Sequence, residues 1–282
     1  MEDARRIHED SLKGWGAVAP AWLSYADDFK VKVAPVANWM LEHLELEQAT
    51  SVLELACGAG DLSMQIHERL APGVRFVASD FAPEMVDATR THAAALGAQD
   101  VDFRVLDAQA LALESQFADR VACRFGYMLM PEPDKAFEET HRVLGDGGHV
   151  VAAVWGPMER NAWLMVFGMA LMQAGIVMGD DPFGPGGVFS LADPSVLRAK
   201  VEGAGFASVE IEEIPFTYDF DDFDSYWAMQ SRLSGSAAGK LQEMSEEERT
   251  AIKESARASA EAFHNDSGFQ FPALSLGVVG TK

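Results

Sequence analysis

Cysteines, metal-ligand clusters and long apolar runs are scarce or missing in this chain of 282 residues. Its two cysteines, Cys57 and Cys123, fall in or just after apolar runs, which predicts buried free thiols in a reducing compartment. No cysteine and histidine cluster has the spacing of metal ligands, so we expect no metal site. No apolar run approaches the roughly 18 residues of a membrane-spanning helix. Residues 1–6 are too polar for a secretory signal, and we expect a cytoplasmic protein.

Basic residues are also few. The chain has 22 lysines and arginines against 44 acids, which gives a net charge of −22. Such a field repels phosphate backbones, so we expect no nucleic-acid partner, and it also opposes anionic lipid, which disfavours quinone methylation at a membrane surface. The acidity favours a small neutral or cationic substrate. The sequence leaves open whether the chain is a monomer or a homodimer.

Residues 51–62 are the most informative stretch of the chain. An apolar run, Ser51–Ala56, is long enough for one buried strand, and the amphipathic run that starts at Leu62 predicts a helix. Between them, Gly58 and Gly60 permit a tight turn where side chains would collide with a bound ligand. A strand, a glycine turn and a helix form the nucleotide-binding crevice at the carboxyl edge of an α/β sheet.

The residue after the glycines narrows the choice of ligand. Gly58 to Ser63 nearly fits the dinucleotide pattern G-x-G-x-x-G/A, but Asp61 stands at the helix start, where it would repel a pyrophosphate. Asp61 is alternatively an N-cap residue. We therefore favour a nucleoside without phosphates, such as S-adenosylmethionine (SAM), and NAD stays open. Asp80 lies 20 residues after Gly60 (80 − 60), the spacing of an acid that binds ribose hydroxyls, or it caps a helix.

Four segments together resemble the class I SAM-dependent methyltransferases, in the branch that contains the ubiquinone and menaquinone C-methyltransferases (methyltransferase type 11). They stand in the order and spacing of that family and span about residues 50–155. One departure is Ala56, where the family usually has glycine. The matching segments are Val52–Gly60, Ala78–Met85, Leu106–Ala108 and His141–Gly148.

The resemblance implies a methyltransferase that uses SAM and releases S-adenosylhomocysteine. It implies an α/β fold with a Rossmann-like, seven-stranded, mostly parallel sheet whose last strand is antiparallel, helices on both faces and a helical cap. It also implies that Asp107 binds the adenine amine and that Ala108 donates its backbone N–H to adenine. We expect the cofactor to contact Tyr25, Glu54, Ala56, Gly58, Gly60, Asp80, Phe81, Met85, Asp107, Ala108 and Arg124.

Four of these residues are expected at the cofactor because of the chemistry or the spacing of their side chains. Phe81 and Met85 follow the ribose acid, where aromatic and thioether groups can sandwich adenine. Arg124, near the end of a strand, is expected to pair with the methionine carboxylate of SAM, with Glu54 or with the substrate, and a structural ion pair is the alternative. Tyr25 ends an aromatic stripe at helical spacing, which either covers the cofactor or packs in the core.

The chain divides into a helical cover over residues 1–48, a SAM-binding core over 49–155, a helical insert or lid over 156–189, and the completion of the sheet over 190–282. The insert carries a methionine-rich apolar face that ends at Met178, followed by a loop over 179–187. Within the core, predicted strands are 51–56, 74–79, 101–106, 118–125 and 148–155, and predicted helices are 61–70, 83–96, 110–115 and 133–144. Beyond it we predict helices over 194–204, 219–235 and 239–264, and strands over 207–214 and 268–280.

The expected methyl acceptor is an apolar small molecule, such as a phenol, a quinone or a natural-product intermediate, methylated at oxygen or carbon. The sequence names no catalytic residue, because the sulfonium already activates the methyl carbon and the protein must chiefly align the acceptor. His8, His264 and Tyr127 are weak candidates for a base. Residues expected to contact the acceptor are Trp15, Tyr127, Met128, Trp155, Asn161 and Trp163.

Two other functions stay open at this stage. One is a SAM-binding protein with a regulatory role, or with rearrangement or elimination chemistry. The other is a nicotinamide-dependent oxidoreductase, which Asp61 and the missing third glycine disfavour.

Overall fold

Three helices open the chain in the computed structural model, which describes residues 2–98, 100–176 and 181–282. They are α1 (Glu2–Ser24), α2 (Ala26–Lys32) and α3 (Ala34–His43). A proline in the first turn of α3 suits a position where the backbone N–H has no helical partner. Among the described residues, no helix combines the length and the apolarity that a bilayer-spanning helix needs.

Strands and helices then alternate, as predicted, through the middle of the chain. The helices after α3 are α4 (Asp61–His67), α5 (Pro83–Leu96), α6 (Pro133–Val143), α7 (Ala162–Gln173), α8 (Pro194–Gly203), α9 (Phe223–Leu233), α10 (Gly235–Glu243) and α11 (Glu246–Ala260). The strands are β1 (Ser51–Glu54), β2 (Arg75–Asp80), β3 (Asp102–Val105), β4 (Ala118–Arg124), β5 (Leu144–Trp155), β6 (Ser208–Phe220), β7 (His264–Asn265) and β8 (Gly268–Thr281).

Seven of the described strands form one continuous sheet in the order β3-β2-β1-β4-β5-β8-β6. The first five are parallel, and β8 runs antiparallel between β5 and β6. The two-residue β7 adds to β8 at its far end. This arrangement confirms the predicted α/β, mostly parallel Rossmann-like sheet with an antiparallel last strand. Because parallel strands end at a common edge, β1, β2 and β4 present their last residues side by side.

Strands β6 and β8 extend well beyond that edge. They pair along their length from Ser208–Thr281 to Phe220–Phe269, whereas β5 follows β8 only as far as the pair Trp155–Ser275. The remaining residues of the two strands form a two-stranded ribbon that overhangs the sheet. The ribbon carries α9, α10 and α11 between its strands, and its aromatic side chains stack on α9 through Tyr226 and Phe271.

Several predicted elements were wrong in type or extent. The strand predicted over 207–214 is β6, which runs to Phe220, and the strand predicted over 148–155 is β5, which begins at Leu144. The helix predicted over 110–115 is irregular chain, because side chains of α6 bond its backbone instead: Arg142 binds the carbonyls of Leu111 and Leu113, and Glu139 accepts from the Leu111 N–H. The helix predicted from 219 starts at 223, since β6 pairs with β8 through Phe220. The helix predicted over 239–264 is two helices, which Ser245 divides by forming a capping box with Glu248.

The N-terminal helices occupy two places on the sheet. Helix α1 lies against α5, and α3 lies against β5 and β8. Gly277 of β8 permits this second contact, because a Cβ there would lie 2.6 Å from the ring of Trp39. The insert predicted over 156–189 contains α7. Met178 and the start of the predicted lid loop, residues 179–180, lie outside the described residues.

Asn161 joins the end of β5 to β8. Its amide nitrogen donates to the carbonyls of Gly156, Pro157 and Leu274, and its amide oxygen accepts from the Leu274 N–H and the Trp163 indole. The side chain is fully buried, so these bonds have no competition from water. All the hydrogen-bonding atoms of the Asn161 side chain are therefore bonded to other protein atoms. These bonds hold β5 and β8 in register.

Replacing Asn161 with alanine should lower the free energy of unfolding by about 2–4 kcal/mol, because the Leu274 N–H and carbonyl would be buried without partners. Urea denaturation measures the change. The control is Asn265→Ala, which removes two exposed bonds, one to Gln270 and one from the Ser267 N–H, and should stay within about 0.5 kcal/mol of wild type. Equal stabilities of the two variants would contradict this account of Asn161.

Candidate active site

The ends of β1, β2 and β4 and the loop of residues 55–60 form the candidate site. The loop is fixed between two strands: the Leu55 N–H donates to Ala122 of β4, and the Cys57 N–H donates to Ser79 of β2. Both acceptors are backbone carbonyls, so the sheet hydrogen bonding continues past Glu54, the last residue of β1. These bonds fix the position of the glycines that follow at the carboxyl edge.

Backbone strain concentrates at this edge. Ala56 (φ 53°) and Phe125 (φ 58°) both adopt the left-handed region directly beyond β1 and β4. That region costs an L-residue roughly 1–2 kcal/mol, which explains why the resembling family usually has glycine at the Ala56 position. The two loops also touch, because a Cβ on Gly126 would lie 2.6 Å from the Ala56 Cβ. Strained residues at adjacent strand ends are typical of ligand-binding sites.

The two glycines of the loop have different surroundings. A Cβ on Gly58 would meet nothing within 4 Å, so this glycine borders open space at the carboxyl edge. A Cβ on Gly60 would lie 2.6 Å from Thr89 Cγ2, so this glycine allows α4 to start close against α5. Thr89 also donates its hydroxyl to the Gly58 carbonyl at 2.6 Å. Gly58 faces a space that a ligand can fill, and Gly60 serves packing.

Asp80 fixes the glycine loop to the end of β2. Its buried carboxylate accepts from the Gly58 N–H at 3.1 Å and from the Ala82 N–H at 3.0 Å. Burial raises the pKa of Asp80 to about 6, although both N–H groups oppose the shift. A carboxylate offers about four acceptor sites, so ribose hydroxyls can be added to these two bonds. The predicted ribose contact is therefore compatible with these bonds, whereas the alternative of a helix cap is wrong, because the N-cap residue of α5 is Ala82.

Glu54, the last residue of β1, is 1% exposed. Its carboxyl accepts from the Ser63 hydroxyl at 2.5 Å. Burial raises the pKa of Glu54 to about 8, and the Ser63 bond and the Arg124 charge only partly offset it. A buried acid with this pKa releases its proton readily when a cation arrives beside it.

Arg124, at the end of β4, pairs with Asp61. Its Nη2 lies 2.5 Å from Asp61 Oδ1, and the two side chains are 7% and 6% exposed. Arg124 thus forms a structural ion pair, the alternative that the sequence left open, and its partner is Asp61 and not Glu54. Asp61 is the first residue of α4, and Gly60 is the cap. The position of Asp61 directly after the glycines indicated that it belongs to the site. Nothing in the sequence indicated that its partner is Arg124.

The residues predicted for adenine lie beside α1. Asp107 accepts from the Gln109 N–H at 2.9 Å, and its other oxygen lies 3.7 Å from His8 Nε2. The His8 ring meets Phe81 edge-on, with centroids 5.5 Å apart. Met85 and Phe81 belong to the cluster of α1 and α5 that also includes Trp15. Helix α1 therefore brings His8 and Trp15 to the adenine side, and Ala108 is buried next to Asp107.

An aromatic wall adjoins Arg124 on the other side. Phe125 stacks on Trp155 with centroids 4.1 Å apart, and Trp155 contacts Trp163 at 4.8 Å. Tyr218 of the overhanging ribbon follows at 4.9 Å from Trp163. We define the aromatic wall as Phe125, Trp155, Trp163, Phe216 and Tyr218. Met128 touches it, since the Trp155 N–H points to Met128 Sδ at 3.3 Å.

Other predicted residues have separate surroundings. The buried Tyr127 hydroxyl bonds Thr140 at 2.7 Å, and its ring stacks on Phe137 of α6. Burial raises the pKa of Tyr127 well above its usual range, which makes it a poor base. His264 stacks on Phe269 and bonds Glu261. Tyr25 is partly buried at the junction of α1 and α2. In the described ranges, no group of three acids, cysteines or histidines could hold a metal.

Comparison with known proteins places this chain among methyltransferases. Residues 52–148 match the family model described as "Methyltransferase domain". The demethylmenaquinone methyltransferase of Thermus thermophilus is 35% identical over 61% of this chain and 81% of that protein. The ubiquinone biosynthesis O-methyltransferase of Paracidovorax citrulli is 26% identical over 68% and 79%. A solved Bacillus halodurans structure shares the fold, with a TM-score of 0.57, 17% identity, and coverage of 87% and 98%.

A matched pair of variants separates the two glycines. Gly58→Ala should fold, since its Cβ meets nothing and its positive φ alone costs about 1–2 kcal/mol, but should weaken S-adenosylhomocysteine binding at least about tenfold because the methyl group enters the ligand space. Gly60→Ala should lose at least about 2 kcal/mol of unfolding free energy from the collision with Thr89 and the positive φ.

Calorimetric titration and urea denaturation measure the two effects. Wild-type affinity in a folded Gly58→Ala protein would show that the ligand does not approach this glycine. An unchanged stability of Gly60→Ala would remove the packing argument.

Glu54 should make the ligand-free protein less stable as pH rises. Its pKa is about 8 when folded against an ordinary 4.5, so its contribution to stability is complete below the ordinary value and is lost as pH rises through the folded one. Between about pH 5 and 8, the unfolding free energy of wild type should therefore fall more steeply than that of Glu54→Gln. The control Glu47→Gln, at an exposed acid, should run parallel to wild type. Parallel curves for Glu54→Gln would refute the assignment.

Proposed function

Because this chain belongs to the class I SAM-dependent methyltransferases of the ubiquinone and menaquinone type, we propose that its methyl acceptor is an apolar aromatic molecule of the phenol or quinone class, methylated at carbon or oxygen. The observation that carries the proposal is the aromatic wall. It begins at Phe125, the residue after Arg124, and continues through Trp155 at the end of β5. A flat apolar surface at the carboxyl edge suits a flat acceptor ring.

The residues at the edge fit the cofactor in shape and charge. Open space at Gly58 admits an adenosine against the backbone, and free lone pairs on Asp80 suit the ribose hydroxyls. Phe81 and Met85 supply apolar surface for the adenine ring, and the Asp107 carboxylate suits its amine. The predicted contacts of Tyr25, Ala56 and Ala108 belong to the same proposal, whereas we assign Gly60 to the packing of α4 against α5.

Charge supports a cationic cofactor in particular. Glu54, Asp61 and Asp80 are buried together with a single base, Arg124. Bound SAM supplies a methyl carbon that its positive sulfur has already activated. Glu54 gains a favourable partner from such a cation and becomes ionised. The neutral sulfur that remains after transfer interacts less with these acids, so they favour the cofactor over its product.

The chain's own task is alignment of the acceptor and exclusion of water. The aromatic wall is closed by the overhanging ribbon, whose Tyr218 is 2% exposed. An acceptor held against the partly exposed rings of the wall, Phe125 and Phe216, would be fixed in one plane, and such positioning alone accelerates a displacement strongly. Trp163 and Met128 complete this surface, and Trp15 reaches the site from α1. Asn161 contributes indirectly, by holding Trp163 through its amide oxygen.

The test is methyl transfer to defined acceptors. Purified protein is incubated with SAM and a panel of hydroxylated benzenes and naphthalenes, with and without apolar side chains. We expect release of S-adenosylhomocysteine and one product heavier than its acceptor by one methylene group. A product of unchanged mass would indicate rearrangement chemistry and refute the proposal, as would tight binding of SAM with no acceptor methylated.

A variant of the wall links the activity to this site. Trp155→Leu should raise the KM for the acceptor at least about tenfold while the affinity for S-adenosylhomocysteine stays unchanged, because Trp155 is the buried ring on which Phe125 stacks and its loss disturbs the wall but not the glycine loop. The unchanged affinity also shows that the variant is folded. The control Trp39→Leu alters an aromatic residue on α3 that bonds Glu212 of the edge strand β6, and it should leave the KM unchanged. Equal effects of the two variants would argue against the wall as the acceptor site.

A further inference from the structure

Three buried side-chain atoms of the described residues have no hydrogen-bond partner: Trp22 Nε1, Asp61 Oδ2 and Arg124 Nη1. A buried polar atom without a partner costs about 1–3 kcal/mol, so such atoms are uncommon and call for an explanation. Asp61 and Arg124 are both more than nine-tenths buried. None of the three atoms can be satisfied by bulk water.

The three atoms belong to one contiguous group. Asp61 and Arg124 share an ion pair at their other atoms, 2.5 Å apart. The Arg124 guanidinium carbon lies 5.2 Å from the centre of the Phe29 ring, and the Trp22 ring lies 4.9 Å from the same ring. The group therefore joins α1 and α2 to the end of β4 and the start of α4. It lies beside the glycine loop, because Asp61 directly follows Gly60.

The chemistry of the group defines its complement. Arg124 Nη1 and Trp22 Nε1 are donors, and Asp61 Oδ2 is an acceptor with a negative charge. The ligand must therefore offer two acceptor atoms and one donor, and its positive end must face Asp61. A carboxylate next to an ammonium, the zwitterion of an α-amino acid, meets all three requirements.

We propose that Asp61, Arg124 and Trp22 form a clamp for the amino-acid end of the cofactor. Arg124 and Trp22 donate to the carboxylate, and Asp61 accepts from the ammonium. The existing bond between Arg124 and Asp61 holds both side chains in place before the ligand binds, so little order must be gained on binding. This inference rests on the proposed function, since it requires a SAM-type cofactor in the open space at Gly58.

The clamp also connects the cofactor to the N-terminal helices. Trp22 belongs to α1, whereas Asp61 and Arg124 belong to the sheet and its first helix. A carboxylate shared by Trp22 and Arg124 would bridge these two parts of the chain. The amino-acid end of the ligand would thereby hold α1 in its position across the site.

Two ligands test the clamp by their difference. S-adenosylhomocysteine carries the amino acid, and 5′-methylthioadenosine has the same adenosine and thioether without it. The key variant is Trp22→Phe, which keeps an aromatic ring against Phe29 and removes the N–H together with part of the indole, so methylthioadenosine serves as the reference for any effect on packing. We expect it to weaken S-adenosylhomocysteine about tenfold and to leave methylthioadenosine within about twofold of wild type. The control Trp39→Phe removes the indole N–H that bonds Glu212 and should change neither affinity.

Charged variants assign the two ends of the zwitterion. Arg124→Gln should weaken S-adenosylhomocysteine about tenfold to a hundredfold but not decarboxylated SAM, which has no carboxylate. Asp61→Asn should weaken both, since both carry the ammonium. Retained methylthioadenosine binding shows in each case that the adenosine site is intact and the variant is folded.

Two results would overturn the inference. If the affinity ratio of the two ligands is the same in wild type, Trp22→Phe and Arg124→Gln, the three atoms do not contact the amino acid, although SAM binding itself stands. If methylthioadenosine weakens as much as S-adenosylhomocysteine, the variants act on the fold and the clamp is rejected. A wild-type protein that binds neither ligand would refute the cofactor and the clamp together, which separates that failure from the first two.

Discussion

The burial of four ionisable side chains at one edge of the sheet is the constraint on which the site depends. Removing a carboxylate from water is costly, and here Glu54, Asp61 and Asp80 share one base, Arg124. The fold offsets part of this cost with the Ser63 hydroxyl and with backbone N–H groups of the glycine loop. The remainder is visible as raised pKa values of Glu54 and Asp80. An incomplete charge balance of this kind favours a ligand that brings positive charge.

The sequence was sufficient for the architecture and for single residues at strand ends. Alternating apolar and amphipathic runs predicted the parallel strands, and the resemblance predicted the antiparallel last strand. Asp80 could be placed from its spacing to Gly60. Asp80 ends β2 and Gly60 follows β1, and neighbouring parallel strands end at the same edge of the sheet. These features depend on short segments that can be interpreted one at a time.

Features that depend on a distant partner were not predictable. Asp61 and Arg124 are 63 residues apart, and no local pattern indicates that they pair. The helix predicted over 110–115 is absent because Arg142 and Glu139 bond its backbone from α6. Gly58 and Gly60 look alike in sequence, yet one borders open space and the other touches Thr89. In each case the deciding neighbour comes from another part of the chain.

The ribbon of β6 and β8 lies on the acceptor side of the proposed site, and the segment that forms it is separate in the chain from the segments on the cofactor side. The proposed cofactor side is built from β1, β2, β4 and the N-terminal helices. The ribbon borders the aromatic wall, and the helices between its strands, residues 221–267, also pack on α1 through α9 and α10. That segment contributes no strand to the parallel part of the sheet. Evolution could therefore exchange it to change the acceptor while the parallel strands stay the same, provided that the new segment keeps the contact with α1, and this contact is the junction that chimeras between relatives must preserve.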